Sequence, residues 1–300
     1  MELDRRRFLQ HSALATIGAG LVFSTGLRGG AQAAAHARDD GFIFAQLSDT
    51  HWGFSDPKIN PEAEHTLPRA IEALNALSPR PDFVVFTGDL THTTDDDGER
   101  RRRMARFAEI IRGLRIKDVK LLPGEHDASL DGGAAFREHF GETHYAFDHR
   151  GVHFVALDNV SDPTGQVGAA QLAWLADDLR SRDAEQPIVV LAHRPLFDLA
   201  PDWDWATRDG AQVTALLDRF RYVTVFYGHI HQENHRTIGR IAHHAATSLI
   251  FPLPAPHAVP KKAPMPWNAE APWAGLGFRT VAEADDGESV SLTEHSLASR

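Results

Sequence analysis

Five short stretches, far apart in the chain, are built around Asp and His: Asp49-Thr50-His51, Gly88-Asp89-Leu90-Thr91-His92, Gly124-Glu125-His126-Asp127, Ala192-His193-Arg194-Pro195 and Gly228-His229-Ile230-His231. Most of them directly follow an apolar run, at residues 42–47, 83–86, 119–122, 187–192 and 222–227. A short apolar run bounded by turn-forming residues reads as a buried strand. Strands that end this way deliver carboxylates and imidazoles to one edge of a sheet. A fold for this chain must let those edges converge.

Helical patterns separate the strands. Leu67, Ala70, Ile71 and Leu74 recur at near-helical spacing within 62–77, and Met104, Phe107, Ile110 and Ile111 do so within 99–114. Residues 169–182, through Leu172, Leu175 and Leu179, and residues 210–220 read the same way. This alternation predicts an α/β fold with helices covering a sheet. Two segments depart from it. Residues 144–148 and 152–157 flank Arg150-Gly151 and predict a hairpin, and 279–284 with 289–294 predict a closing one. Residues 251–277 hold seven of the chain's 17 prolines, with Trp267 and Trp273, and show no regular pattern. A loop of that length in a compact domain is often functional, which makes it a candidate active-site loop.

Charge and composition narrow the function. The net charge of −10 argues against a surface for nucleic acid, whose phosphates attract basic proteins. An acidic protein can still bind phosphate where metal ions supply the positive charge. The absence of Cys excludes disulfides, thiolate metal sites and a cysteine nucleophile. At the amino terminus, Arg5-Arg6-Arg7-Phe8-Leu9 precedes a weakly apolar stretch and then Ala31-Gln32-Ala33. That pattern resembles a twin-arginine export signal over residues 1–33, which predicts contact with the export machinery and a periplasmic or secreted protein. Its removal takes away four Arg and two acids and leaves about −12. The stretch is too short and Gly-rich for a stable membrane anchor.

Carboxylate oxygens mixed with neutral imidazole nitrogens suit Zn, Mn or Fe better than Mg or Ca, which prefer all-oxygen shells. Any one of the five motifs is weak alone, since Asp-x-His is common in loops. Together and in order, most of them behind a predicted strand, they point to a two-metal site.

On these motifs the chain resembles the calcineurin-like metallophosphoesterases, nearest to the branch with class III cyclic-nucleotide phosphodiesterases. The resemblance spans roughly residues 42–295 and includes Tyr145-Ala146-Phe147-Asp148 and Val152-His153-Phe154-Val155-Ala156-Leu157-Asp158. It implies one domain over 34–300, folded as a four-layered α/β/β/α sandwich. It implies two divalent or mixed-valence ions, of Fe, Mn or Zn, and a small-molecule phosphate ester as substrate. Asp49, His51 and His231 are then expected to hold one ion. His193, His229 and the residue at 125 hold the other, and Asp89 bridges both. His126 is expected beside the substrate, stabilising or protonating the leaving oxygen, with Asp127 orienting it. His92 is a candidate for contact with a ligand. The implied reaction is hydrolysis by a metal-bridged hydroxide. The contrasting expectation is a non-catalytic metal- or phosphate-binding protein.

One residue departs from the family pattern. The third motif there reads Gly-Asn-His-Asp or Gly-Asn-His-Glu, whereas here Glu125 replaces the Asn. Two divalent cations with Asp49, Asp89 and a hydroxide sum to about +1, and Glu125 brings the sum to about zero. A trivalent ion in the second position restores the charge; a monoanionic diester substrate needs less of it; or the second position is weakened and catalysis lost.

Overall fold

The computed structural model describes residues 41–283 and 290–299. The signal read in residues 1–33 lies outside them. Five apolar runs become strands: β1 (Ile43–Leu47), β2 (Phe83–Thr87) and β3 (Val119–Leu122), then β6 (Ile188–Leu191) and β7 (Val223–Tyr227). Between them lie α1 (Ala63–Asn75), α2 (Asp97–Ile111), the short α3 (Glu125–Ala128) and α4 (Ala134–Phe140), and α5 (Ala169–Leu179); α6 (Gly210–Leu217) precedes β7. The expected hairpins form as β4 (Tyr145–His149) with β5 (Val152–Ala156), and β10 (Gly277–Glu283) with β11 (Val290–Ser296). A further hairpin, β8 (Asn234–Ile238) with β9 (Ile241–Ala245), completes the set.

These strands make two mixed sheets, ordered β11-β10-β1-β2-β3 and β4-β5-β6-β7-β9-β8. β1, β2 and β3 are parallel, as are β5, β6, β7 and β9. The alternation of side chains along each strand explains the layers. Phe44, Phe83 and Val85 face Phe154, Val189 and Leu191 in a core between the sheets. Ala45, Leu47, Val84 and Phe86 face the other way, onto Leu67, Leu74, Met104 and Phe107 of α1 and α2. Val155, Ile188, Val190 and Val225 likewise meet Leu175, Leu179, Val213 and Leu217 of α5 and α6. Strands buried on both faces have to read as continuous apolar runs, which is why they were visible in the sequence. The result is the expected α/β/β/α sandwich.

Helix starts follow local rules. Asp96 caps α2, its side chain accepting from the Glu99 N–H at 2.7 Å. α4 escaped the sequence reading because it is seven residues long, too short for its periodicity to register. Among the described residues, no helix is long and apolar enough to cross a membrane.

The inter-sheet core depends on aromatics packed mostly edge to face. Phe154 contacts Phe42, Phe44, Phe83 and Phe147, with ring centroids 4.8–5.9 Å apart. Phe154→Ala is expected to cost about 3–5 kcal/mol in urea unfolding, without change in the denaturant slope. A cost below about 1 kcal/mol would mean the two sheets are not packed through this residue.

Candidate metal centre

The C-terminal ends of β1, β2, β3, β6 and β7 meet at one edge of the sandwich. The predicted stretches begin within two residues of these ends. Contacts across the sheets fix this edge. Gln46 Nε2 donates to the Tyr227 carbonyl at 3.0 Å, and His193 Nδ1 donates to the Thr87 carbonyl at 2.7 Å. The backbone bends sharply there. Asp49, His51, Asp89, His229 and His231 all take left-handed conformations, with φ of +54°, +43°, +51°, +66° and +52°. Such geometry costs on the order of 1–3 kcal/mol per residue and clusters at functional sites. Gly88 and Gly124 allow the close approach: a Cβ on Gly88 would sit 2.3 Å from His193 Nδ1.

Four clusters of His, Asp and Glu among the described residues could hold an ion; His51 also groups with His92 and His126, and Glu233, His235 and Glu294 form an exposed one, but two of the four gather the residues expected from the sequence. Asp49, His51 and His231 form one; Asp89, Glu125, His193 and His229 form the other. Asp89 stands between them, with Oδ2 3.4 Å from His51 Nε2 and 3.3 Å from His193 Nε2. In the first group His231 Nε2 lies 3.3 Å from both Asp49 Oδ1 and His51 Nε2. In the second, the Glu125 carboxylate reaches His193 Nε2 at 2.9 Å and His229 Nδ1 at 2.7 Å.

This arrangement suits cations. His193, His229 and His231 each donate one ring N–H to a backbone carbonyl, of Thr87, Asp204 and Phe251. Their other nitrogens therefore present lone pairs inward, the usual orientation of metal-binding imidazoles. Lone pairs then face carboxylates or one another, which is unfavourable without a cation or proton between them. His193 Nε2 and Glu125 Oε2 are buried and engage no hydrogen bond. Donors about 2.1 Å from a common ion lie about 3.0–3.4 Å apart for angles from 90° to 109°. The observed spacings, 2.7–3.4 Å, fall close to that range.

The electrostatics agree. Burial would raise the Glu125 carboxyl, yet His229 and His193 hold it well below its ordinary value, so it is ionised. Burial favours neutral His193, but Asp89 and Glu125 raise it well above the usual value. Burial and the surrounding His126, His231 and His92 hold His51 well below its ordinary value. It stays neutral and able to donate a lone pair.

His126 lines the cleft beside His51, ring centroids 4.5 Å apart. Its Nδ1 accepts from the Thr93 N–H at 3.2 Å and lies 2.7 Å from the Thr93 hydroxyl, which leaves the proton on Nε2. Thr93, not Asp127, therefore orients this ring, a correction to the sequence expectation. The Asp127 carboxylate accepts from the backbone N–H groups of Leu90, Thr91 and Gly124 and from the Thr91 hydroxyl. It ties the loop after β2 to the start of α3. His92 Nδ1 lies 3.2 Å from His51 Nδ1, so it touches a residue of the first group. Burial, then His126, lowers its pKa to about 4.

Several contributors were not identified in the sequence. Arg194 pairs bidentately with Asp204 and approaches Glu125 Oε1 at 3.6 Å. Its position next to His193 was the only signal. The 251–277 segment supplies Phe251, Leu253, Lys262, Ala263 and Pro264 to the cleft, whose volume is about 180 Å³. Phe251 stacks on His51 at 5.9 Å. Trp203 and Trp205 are buried and pack with Tyr227 and Ile230.

Two sheets flanked by helices, with a carboxylate–imidazole cluster at their shared edge, define a sandwich of the metallo-dependent phosphatase type. The chain belongs to the calcineurin-like phosphoesterase family, whose profile matches residues 42–233. It is 27% identical over 220 residues to a cAMP/cGMP dual specificity phosphodiesterase of Mycobacterium tuberculosis, covering 69% of this chain and 66% of that protein. It is 29% identical over 182 residues to the human serine/threonine-protein phosphatase CPPED1, covering 55% of this chain and 58% of that one. The chain thus spans about two thirds or less of these relatives. A glycerophosphodiester phosphodiesterase, GpdQ of Enterobacter lignolyticus, matches at 27% over 85% of this chain and 91% of its own. A dimetal phosphatase from Danio rerio shares the fold with a TM-score of 0.60 at 14% identity, over 85% of this chain and 96% of that one.

Proposed function

We propose that this chain is an exported metal-dependent phosphoric ester hydrolase that prefers diesters to monoesters. The observation that carries the reading is the pair of ligand groups sharing Asp89 Oδ2. Asp49, His51 and His231 would hold one ion; Glu125, His193 and His229 the other; Asp89 both. Bound there, two such cations, of Fe, Mn or Zn, supply a water-derived nucleophile at neutral pH and offset charge on the phosphoryl oxygens. The backbone carbonyls behind His193, His229 and His231 keep their donor nitrogens aimed inward. His126, with its N–H on Nε2, donates a hydrogen bond that stabilises charge on the leaving oxygen.

The ionised Glu125 supports the diester preference. It makes the ligand shell more negative than a neutral amide would, which favours a monoanionic substrate over a dianionic one. The names of the mycobacterial and Enterobacter relatives agree with a diester. A trivalent ion beside Glu125 is the other way to balance its charge. Export rests on the arginines and Ala31-Gln32-Ala33 of the amino terminus.

Protein loaded with Mn, Fe or Zn is expected to hydrolyse bis-(4-nitrophenyl) phosphate with a higher kcat/KM than the monoester. A chelator should abolish turnover, and added metal should restore it. No turnover at full occupancy of two ions would instead identify a binding protein.

A further inference from the structure

The cleft contains a cation that the family motifs do not include. Lys262 lies beyond residues 42–233, the part matched by the family profile. It is one of only five lysines in the chain, and with Lys261 it forms the only Lys or Arg positions in 251–277. The segment folds over the site from above. Phe251 rests on His51, and the Phe251 carbonyl accepts from His231. Lys262 therefore arrives on a part of the chain already anchored to the first ligand group.

It lines the same cleft as Glu125. The Lys262 ammonium lies 6.0 Å from the centre of the Trp205 ring, next in sequence to Asp204. Asp204 accepts from His229 through its carbonyl and from Arg194 through its carboxylate. His126 packs against His51 and His92. Among the described residues, no carboxylate is within ion-pair distance of Lys262, although Arg194 is matched by Asp204. Burial pulls the Lys262 ammonium down, while Glu125 and Asp204 act to raise it.

The charges can then be paired. Arg194 is shared between Asp204, which it grips bidentately, and Glu125, at 3.6 Å. Lys262 lines the same cleft without such a pair among the described residues, and is left for an incoming anion. We propose that Lys262 is a substrate-binding residue that contacts the anionic phosphoryl oxygen of a phosphodiester, restoring beside the metal pair the positive charge that Glu125 removes from it. This rests on the phosphoesterase reading above. It also refines that reading, because a single ammonium beside a near-neutral metal pair matches the one charge of a diester better than the two of a monoester.

The test uses full-length metal-loaded protein, Lys262→Met and Lys262→Arg. Metal content is measured first. Inorganic phosphate is then titrated calorimetrically, and kcat and KM are determined for bis-(4-nitrophenyl) phosphate. Lys262→Met is expected to keep both metals and to weaken phosphate about 10-fold, a charge-assisted contact's worth. KM should rise more than kcat falls. Lys262→Arg should retain affinity within about 3-fold. In Glu125→Asn protein, which lacks the extra carboxylate, Lys262→Met should cost less than in the parent.

Unchanged phosphate affinity in Lys262→Met, with metals in place, overturns the proposal. So does wild-type protein that holds metals but binds no phosphate. Phosphate binding that depends on Lys262, without diester turnover, would sink the hydrolase reading and leave the anion contact standing.

Discussion

Asp89→Asn is expected to release at least one of two bound ions and to lower kcat/KM by about 10³-fold or more. Asp89 Oδ2 reaches both ligand groups, at 3.4 Å from His51 Nε2 and 3.3 Å from His193 Nε2. An amide there loses the negative charge that holds two cations side by side. Asn keeps the acceptor for the His126 N–H, which now reaches Asp89 Oδ1 at 2.9 Å. The loop should therefore survive the change. Elemental analysis beside kinetics separates loss of metal from loss of fold. Two ions per chain and undiminished turnover would remove Asp89 from the bridging position.

Gly124→Ala should be almost as damaging, although it replaces no candidate ligand. The backbone at 124 has φ of −104°, which any residue adopts. The obstacle is space: a Cβ would fall 2.1 Å from Asp89 Oδ1 and 2.2 Å from the Asp89 backbone nitrogen. Neither can withdraw cheaply, because the Asp89 loop is tied to Asp49 and His51 by backbone hydrogen bonds. Displacement of the reacting geometry by about 1 Å typically costs about 10²-fold in rate. A loss of that size, with weakened metal binding and normal circular dichroism, is the expected result. Full activity would show that Asp89 and Glu125 do not need this contact.

How much of this was legible depended on the kind of signal. Strands buried on both faces, such as β2 and β7, announce themselves as unbroken apolar runs. The ligand stretches were visible because each sits where such a run stops. Short α4 carried too little pattern. Asp127 was misread because adjacency in sequence suggested contact with His126, while the helical turn of α3 points the two side chains apart. Arg194, Asp204 and Lys262 come from three separated segments, and only folding brings their charges together around Glu125. The left-handed backbone at Asp49 and Asp89 has no residue-level signature either, since neither is Gly.

The candidate metal ligands are divided between the halves of the sandwich. Asp49, Asp89 and Glu125 extend from one sheet, His193, His229 and His231 from the other. On the proposed reading each ion has partners on both, and so acts as a removable cross-link between layers that otherwise adhere through apolar packing and a few hydrogen bonds such as that of Gln46 to Tyr227. Occupancy and mechanical integrity then become one property. Saturation at 100 times the dissociation constant adds about 2.7 kcal/mol to the folded state. Metal scarcity would therefore loosen the seam between the sheets and leave the molecule easier to pull apart along it.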